Sequence, residues 1–319
     1  LGATEDIEGS GHGSGSDGAL ALSPVALFKA LRPLQWVKNG LVFLPLVFAV
    51  DVAWSTDDLG PVPGLLGKLL LVALAFCALS SAVYLFNDLM DREGDRLHPI
   101  KRNRPIASGK VNLPIAASLM VVLAAIGLAI MVVVEPMLGL AGVIYSLINV
   151  GYSLGIKNIV LLDAFAITSG YIIRASAGAL AIDVTPSPWL YATTGAGALF
   201  IVLGRRFAEI RLAGDAAEEQ RSVLKDYSGP FINQLLMLSA AAAWLSYTLY
   251  TVEATNLPDN NTMLFTLPFV TFGLFRYLFL LNNSEQAEAP EQLIIRDLPL
   301  VLSIIGWVAV STLVLLSNN

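Results

Sequence analysis

Between Asn87 and Lys110 the chain reads NDLMDREGDRLHPIKRNRPIASGK, where its charge is concentrated. Asn87, Asp88, Asp91 and Asp95 recur at intervals of three to four residues. If the apolar helix ahead of them runs on for two turns, the carboxylates share one face. Carboxylates so placed repel one another unless a cation neutralises them. Hard oxygen donors on a water-accessible face suit Mg²⁺, which keeps waters of its own and binds substrate phosphates as well. Lys101, Arg102 and Arg104 follow, with the charge and fork geometry that phosphate recognition uses. Acids and then bases at the end of a buried helix are expected to form a Mg²⁺–diphosphate site. The plainer alternative is a solvated loop that only obeys the positive-inside rule.

Further ionisable residues lie elsewhere. Asp163 and Arg174 fall inside one apolar window, eleven residues apart. That is close to three helical turns, so both project from one face about 16 Å apart. A charge inside a membrane helix normally faces a polar cavity, and Arg174 is expected to line one; the structural alternative for both Asp163 and Arg174 is pairing with a polar group on a neighbouring helix. YSLGIKN (Tyr152–Asn158) reads as a tight turn whose single Lys157 either snorkels to headgroups or contacts diphosphate. GRRFAEIRL (Gly204–Leu212) sets Arg205, Glu209 and Leu212 at helical spacing. It supplies cations and one carboxylate, not a second aspartate cluster. The stretch Asp215–Asp226 reads as a solvated loop without chemistry.

The elements that must position these groups are membrane helices. Of 319 residues, 55% are hydrophobic and only 14% charged, against roughly a quarter charged in soluble domains. One cysteine, Cys77, excludes a disulfide framework, and two histidines exclude a histidine-rich metal centre. No nucleic-acid partner is expected. Residues 1–23, with GSGHGSGSDG, read as a flexible tail without a signal-peptide pattern. Ser23 and Pro24 suit an N-cap and first turn. ALFKALRPLQWVKN resembles an interfacial amphipathic helix leading into the membrane.

Apolar windows able to span the bilayer are expected near 40–55, 65–89, 113–134, 137–154, 159–181, 187–204, 231–252, 263–281 and 298–316. Lys29, Arg32, Lys38, the Arg92–Lys110 loop, Lys157, the Arg205–Lys225 loop, Arg276 and Arg296 fall on one side. The alternate loops are acidic, with Lys68 the exception. The positive-inside rule then sets the N-terminus in the cytoplasm, the C-terminus outside and both large polar loops on the cytoplasmic side. Those loops follow spans two and six, a weak sign of internal repetition.

The NDxxDxxxD pattern at Asn87–Asp95, the Arg104–Pro105 pair, YSxxxK at Tyr152–Lys157 and about nine spans resemble the UbiA-type intramembrane prenyltransferase superfamily. The resemblance covers the chain from Ala26 onward. It implies an all-α polytopic bundle at 24–319 with a cytoplasmic-side active site. Typical members ionise a prenyl diphosphate over Mg²⁺ held by two Asp-rich motifs. Here RRFAEIR stands where the second motif is expected. LRPLQWVKN (Leu31–Asn39), KRNRPIASG (Lys101–Gly109), LGRRFAEI (Leu203–Ile210) and Arg276–Tyr277 look like the family's decaprenyl-phosphate phosphoribosyltransferase branch.

That branch implies transfer of phosphoribosyl from 5-phosphoribosyl 1-diphosphate to decaprenyl (polyprenyl) phosphate in the cell membrane, a step toward cell-wall arabinan precursors. The resemblance then implies roles. Asp88, Asp91 and Asp95 are expected to hold Mg²⁺. Asn87, Lys101, Arg102, Arg104, Lys157, Arg174, Arg205 and Glu209 are expected around the sugar donor, and Lys38 at the lipid phosphate. The rival within the family is an ordinary prenyltransferase; the rival outside it is a multi-span transporter.

Overall fold

The computed structural model describes residues 23–317 apart from 51, 56, 100, 186–187, 214–223, 225, 255–256, 258–259, 284–292 and 294–295. The tail at 1–22, Asp51, Asp259 and the loop residues Asp215, Glu218, Glu219, Arg221 and Lys225 lie outside the described residues. Among those described, the structure is helical, with one isolated bridge between Val50 and Trp54.

Helix α1 (Pro24–Ala30) begins as its sequence implies, with Ser23 Oγ accepting the Ala26 amide at 3.4 Å and Pro24 in the first turn. It stops where Arg32 takes a left-handed backbone, φ 53°, ahead of Pro33. A 3-10 helix (Pro33–Phe43) and the single α-turn α2 (Leu44–Val47) follow. The long rods are α3 (Val62–Met90), α5 (Leu113–Val134), α6 (Pro136–Leu154), α7 (Leu162–Ala181) and α8 (Pro188–Ala213). Then come α9 (Gly229–Glu253), α10 (Leu267–Asn283) and α11 (Leu298–Ser317); the short α4 (Arg92–Leu97) caps the end of α3.

Among the described residues, seven helices are long and apolar enough to cross a bilayer: α3, α5, α6, α7, α9, α10 with its 3-10 lead from Thr262, and α11. The chain is a multi-pass membrane protein. Two of the nine expected spans take another form. The 40–55 window holds the end of the 3-10 helix and α2, so the rod starts earlier, at Pro33. The 187–204 window is the first part of α8, which continues unbroken through RRFAEIR. Its arginines and threonines make it less apolar than the seven.

Packing explains which face each helix hides. Helix α5 fully buries only Ala116, Gly127 and Met131, packs Leu119, Leu123 and Leu128 partly against the cores, and leaves Val121, Val122, Ile126, Val132 and Val133 exposed for lipid. Gly127 lets α3 approach, since a Cβ there would stand 2.8 Å from Leu79. The 3-10 helix presses against α7 at Gly178, where a Cβ would stand 2.1 Å from the Val42 carbonyl oxygen. One apolar core joins Val42, Phe76, Leu79, Met131, Leu138 and Tyr145. A second joins Phe200, Leu203, Ile232, Leu236, Tyr277 and Leu281. Helix α3, with 29 residues, is about 43 Å long, against a hydrocarbon core of ~30 Å. Its length allows the acid-bearing last turn to stand outside the apolar layer.

Candidate active site

The Asp-rich sequence does not lie on one helix. Helix α3 ends at Met90, Asp91 caps it with ψ 1°, and Asp95 belongs to α4. The backbone still turns helically through the joint, since the Asp91 amide donates to Asn87 O and the Asp95 amide to Asp91 O. The carboxylates therefore keep a common side.

Each carboxylate meets a cation of the protein itself. Arg32 Nη2 donates to Asp88 Oδ1 at 2.5 Å, and Arg104 Nη1 donates to the same oxygen at 3.1 Å. Arg104 Nη1 also donates to Asp95 Oδ2 at 2.6 Å. Lys157 Nζ donates to Asp91 Oδ1 at 2.5 Å. Asp88 and Asp95 are buried, whereas the Asp91 side chain is 31% exposed. The Arg32 guanidinium also stacks over Tyr84, 4.8 Å from its centroid. From sequence Arg32 belongs to the interfacial segment and the LRPLQWVKN motif, with no site role; in the structure its left-handed backbone stands ahead of Pro33 and its guanidinium reaches Asp88.

Of the other basic candidates, Lys101 is half-buried and its amide donates to His98 Nδ1. Arg102 is exposed, and Asn87 is half-buried at the end of α3. Lys38 Nζ donates to Gln35 Oε1 at 2.7 Å and lies 5.9 Å from the Tyr171 ring centroid. It lines a cavity of about 990 Å³ whose other walls include Phe48, Trp189, Tyr250 and Trp307. Asp183 and Thr185 line the same cavity, beyond the far end of α7. A long apolar hollow thus begins at a lysine on the side of the charged groups.

The second half builds a different network. Arg206, fully buried, donates through Nε to Asp163 Oδ2 at 2.8 Å and through Nη1 to Glu209 Oε2 at 2.7 Å. Arg205 Nε takes the other Glu209 oxygen at 3.0 Å. Tyr227 OH donates to Asp163 Oδ1 and accepts the Leu161 amide, holding a turn in which Leu161 has φ 68°. Burial, with Asp163 beside it, pushes the Tyr227 hydroxyl above its ordinary pKa, so it stays a donor. Tyr152, at the end of α6, is within electrostatic reach of Arg206. Sequence reasoning passed over Arg206 and Tyr227; the doubled arginine in RRFAEIR was the available signal.

Arg174 departs from the expected cavity lining. It is buried, donating through Nε to Asn39 Oδ1, through Nη1 to Gly170 O and through Nη2 to Tyr145 OH. Asn39 in turn donates to Cys77 Sγ. Arg174 thereby ties α7 to α6, α3 and the 3-10 helix, beside Phe76 and Tyr145 rings.

A helical membrane bundle with an acid–base cluster at one end and an apolar hollow beside it has the parts that an intramembrane lipid transferase needs. Residues 42–298 match the UbiA prenyltransferase family, and the chain belongs to this family of enzymes. Its curated relatives include proteins named decaprenyl-phosphate phosphoribosyltransferase. The Mycobacterium tuberculosis relative is 34% identical over 88% of this chain and 91% of its own length. The Mycolicibacterium smegmatis relative is 32% identical over 88% and 90%, and the Corynebacterium glutamicum relative 30% over 88% and 84%. Solved structures share the fold. A UbiA homolog from Archaeoglobus fulgidus bound to GPP and Mg²⁺ superposes with TM-score 0.67 at 16% identity, covering 92% of this chain and 99% of that one. The apo UbiA homolog from Aeropyrum pernix K1 gives 0.56 at 19%, covering 88% and 97%.

Proposed function

We propose that the protein transfers the 5-phosphoribosyl group of 5-phosphoribosyl 1-diphosphate to a polyprenyl phosphate, with decaprenyl phosphate the expected acceptor. The bond from the anomeric carbon to diphosphate breaks, and a lipid phosphate oxygen bonds to that carbon. The products are diphosphate and decaprenylphosphoryl 5-phosphoribose. A phosphate monoester is anionic at neutral pH, so the acceptor needs no general base. The relatives' shared name supports this reading.

One observation favours it over prenyl transfer to an aromatic acceptor. The second-half carboxylates, Asp163 on α7 and Glu209 on the arginine-rich α8, are both engaged by Arg206. RRFAEIR stands where a second Asp-rich motif for a second metal–diphosphate site is expected, and one such site suffices for a sugar diphosphate.

Mg²⁺ is the proposed cofactor, and the first-half residues fit it. Asp88, Asp91, Asp95 and the Asn87 amide offer oxygen donors only. Among the described residues no three carboxylates converge as a ready-made cage, so waters and phosphate oxygens would have to complete the shell of a bound Mg²⁺. When bound, Mg²⁺ supplies Lewis-acid neutralisation of the departing diphosphate. Lys101, Arg102, Arg104 and Lys157 would hold diphosphate or 5-phosphate oxygens, with Arg205 and Glu209 toward the sugar. Lys38 would receive the lipid phosphate while the polyprenyl chain enters the apolar hollow. Arg174, with donors engaged on all three nitrogens, is assigned to positioning the 3-10 helix that carries Lys38.

We assign the enzyme to the cell membrane, N-terminus cytoplasmic and C-terminus outside, in synthesis of cell-wall arabinan precursors. The test is the product's mass after purified protein meets polyprenyl phosphate, phosphoribosyl diphosphate and Mg²⁺. A polyprenyl phosphoribosyl phosphate is expected. A product formed only from labelled prenyl diphosphate would replace this reading with the prenyltransferase one.

A further inference from the structure

The geometry points to Arg104 as a built-in counter-ion that holds the cation position between Asp88 and Asp95 until a metal displaces it. We propose that Arg104 then passes to the diphosphate, so that metal and diphosphate bind as a linked pair. The inference rests on the metal–diphosphate reading above.

One nitrogen, Nη1, serves both carboxylates, at 3.1 Å from Asp88 Oδ1 and 2.6 Å from Asp95 Oδ2. Those two oxygens are therefore no farther apart than the sum of the two distances. Their side chains are 3% and 6% exposed, so water screens their repulsion little. A positive charge between them is required whenever both are ionised, and Arg104 provides it. The same spot, between two near-buried oxygen donors, is where a hard cation gains most.

Arg104 is suited to leave. Its side chain is 27% exposed, and it follows a short 3-10 turn, Lys101–Asn103, instead of sitting inside a long helix. The loop itself is anchored by buried Ile106 and by Arg96 Nε donating to Ala107 O. A side-chain swing therefore suffices, with no movement of the loop.

Charge balance gives the linkage. Asp88, Asp91 and Asp95 are matched by Arg32, Arg104 and Lys157. Metal alone must displace a cation that then has no partner. Diphosphate alone must draw cations from carboxylates that are left unpaired and buried, which is costly. Together they exchange partners: the carboxylates turn to metal and the arginines to phosphate. Each ligand then raises the affinity of the other by the same factor.

The experiment uses the full chain in detergent, with Mn²⁺ binding read by electron paramagnetic resonance and diphosphate binding by calorimetry. Without diphosphate, Arg104→Gln is expected to bind Mn²⁺ roughly tenfold or more tightly than the wild type, as a charge-assisted contact no longer competes. Arg104→Lys, which keeps the charge, should stay near wild type. Mn²⁺ affinity in Arg104→Gln equal to or weaker than wild type overturns the proposal. Asp95→Asn gives a reciprocal test that does not depend on that variant folding. With one acceptor of Arg104 neutralised, metal-free diphosphate (EDTA present) should bind more tightly, and unchanged or weaker binding counts against the inference. Product formation is scored separately. Displacement without product removes the reaction reading alone; product without displacement removes this inference alone.

Discussion

Arg206 Nε donates to Asp163 Oδ2 at 2.8 Å across 43 residues of sequence, between side chains only 1% and 0% exposed. This pair joins α8 to the start of α7 and also engages Glu209. A buried cation removed from two carboxylates leaves both without adequate compensation.

Arg206→Leu is therefore expected to cost about 3–5 kcal/mol of stability. Arg205→Leu, at a side chain 39% exposed, should cost only about 0.2–1 kcal/mol. Denaturant unfolding in detergent compares them. Equal losses would show that the buried pair is not what holds α7 to α8.

Glu209 separates a structural from a substrate role. Its two oxygens accept from Arg205 and Arg206. Glu209→Gln keeps one acceptor oxygen, and activity should fall partly. Glu209→Ala removes both, leaving groups unpaired at roughly 1–3 kcal/mol each. If Glu209 serves only the arginines, both variants lower the melting temperature and leave the phosphoribosyl diphosphate KM unchanged. A KM that rises in Glu209→Ala beyond Glu209→Gln supports contact with the sugar.

Asp91 is the most exposed acid of the first cluster and pairs only with Lys157 among the contacts described. Asp91→Asn is expected to lower the melting temperature by no more than a few degrees while abolishing turnover, because this half-buried pair is still partly screened by water and contributes on the order of 1 kcal/mol. Near-wild-type turnover at saturating Mg²⁺ would remove Asp91 from the proposed metal site.

Gly178 tests the placement of the 3-10 helix. A Cβ there meets backbone at Val42, which cannot swing aside. Gly178→Ala should push the 3-10 helix off α7, lowering both stability and the affinity for polyprenyl phosphate through Lys38 and Asn39. Gly64→Ala, in α3 with open space around it, should be neutral or stabilising by up to about 1 kcal/mol. Thermal unfolding and acceptor KM for both variants check this, and a harmless Gly178→Ala would refute the contact.

Asp297 gives a pH dependence. The Arg276 guanidinium, donating through Nε and Nη2, holds its carboxyl below the ordinary value, against some burial. A lowered folded pKa means that the pair's contribution is complete above the unfolded value, ~3.9. It is lost as pH falls through the folded value. The melting difference between wild type and Asp297→Asn should therefore be constant from about pH 7 to 5 and shrink below about pH 4. A difference that grows on acidification would reverse the assigned sign.

Sequence alone determined the multi-pass helical character, with seven of the nine expected spans recurring as bilayer-length apolar helices among the described residues, the concentration of acids and bases at Asn87–Lys110 and the family. These follow from local properties: apolar runs of bilayer length, helical spacing and contiguous motifs. It also placed Ser23 as a cap, because capping involves neighbours in the chain. Only the tertiary structure decided how the charges pair. Lys157 with Asp91, Arg32 with Asp88, and Arg206 with Asp163 are 66, 56 and 43 residues apart. Long-range partners depend on how helices pack, which no local pattern encodes. The same reason turned Arg174 from an expected cavity residue into a buried tie between four elements. It also set the 3-10 helix Pro33–Phe43 against α7, since close approach to Gly178 is a property of two segments together.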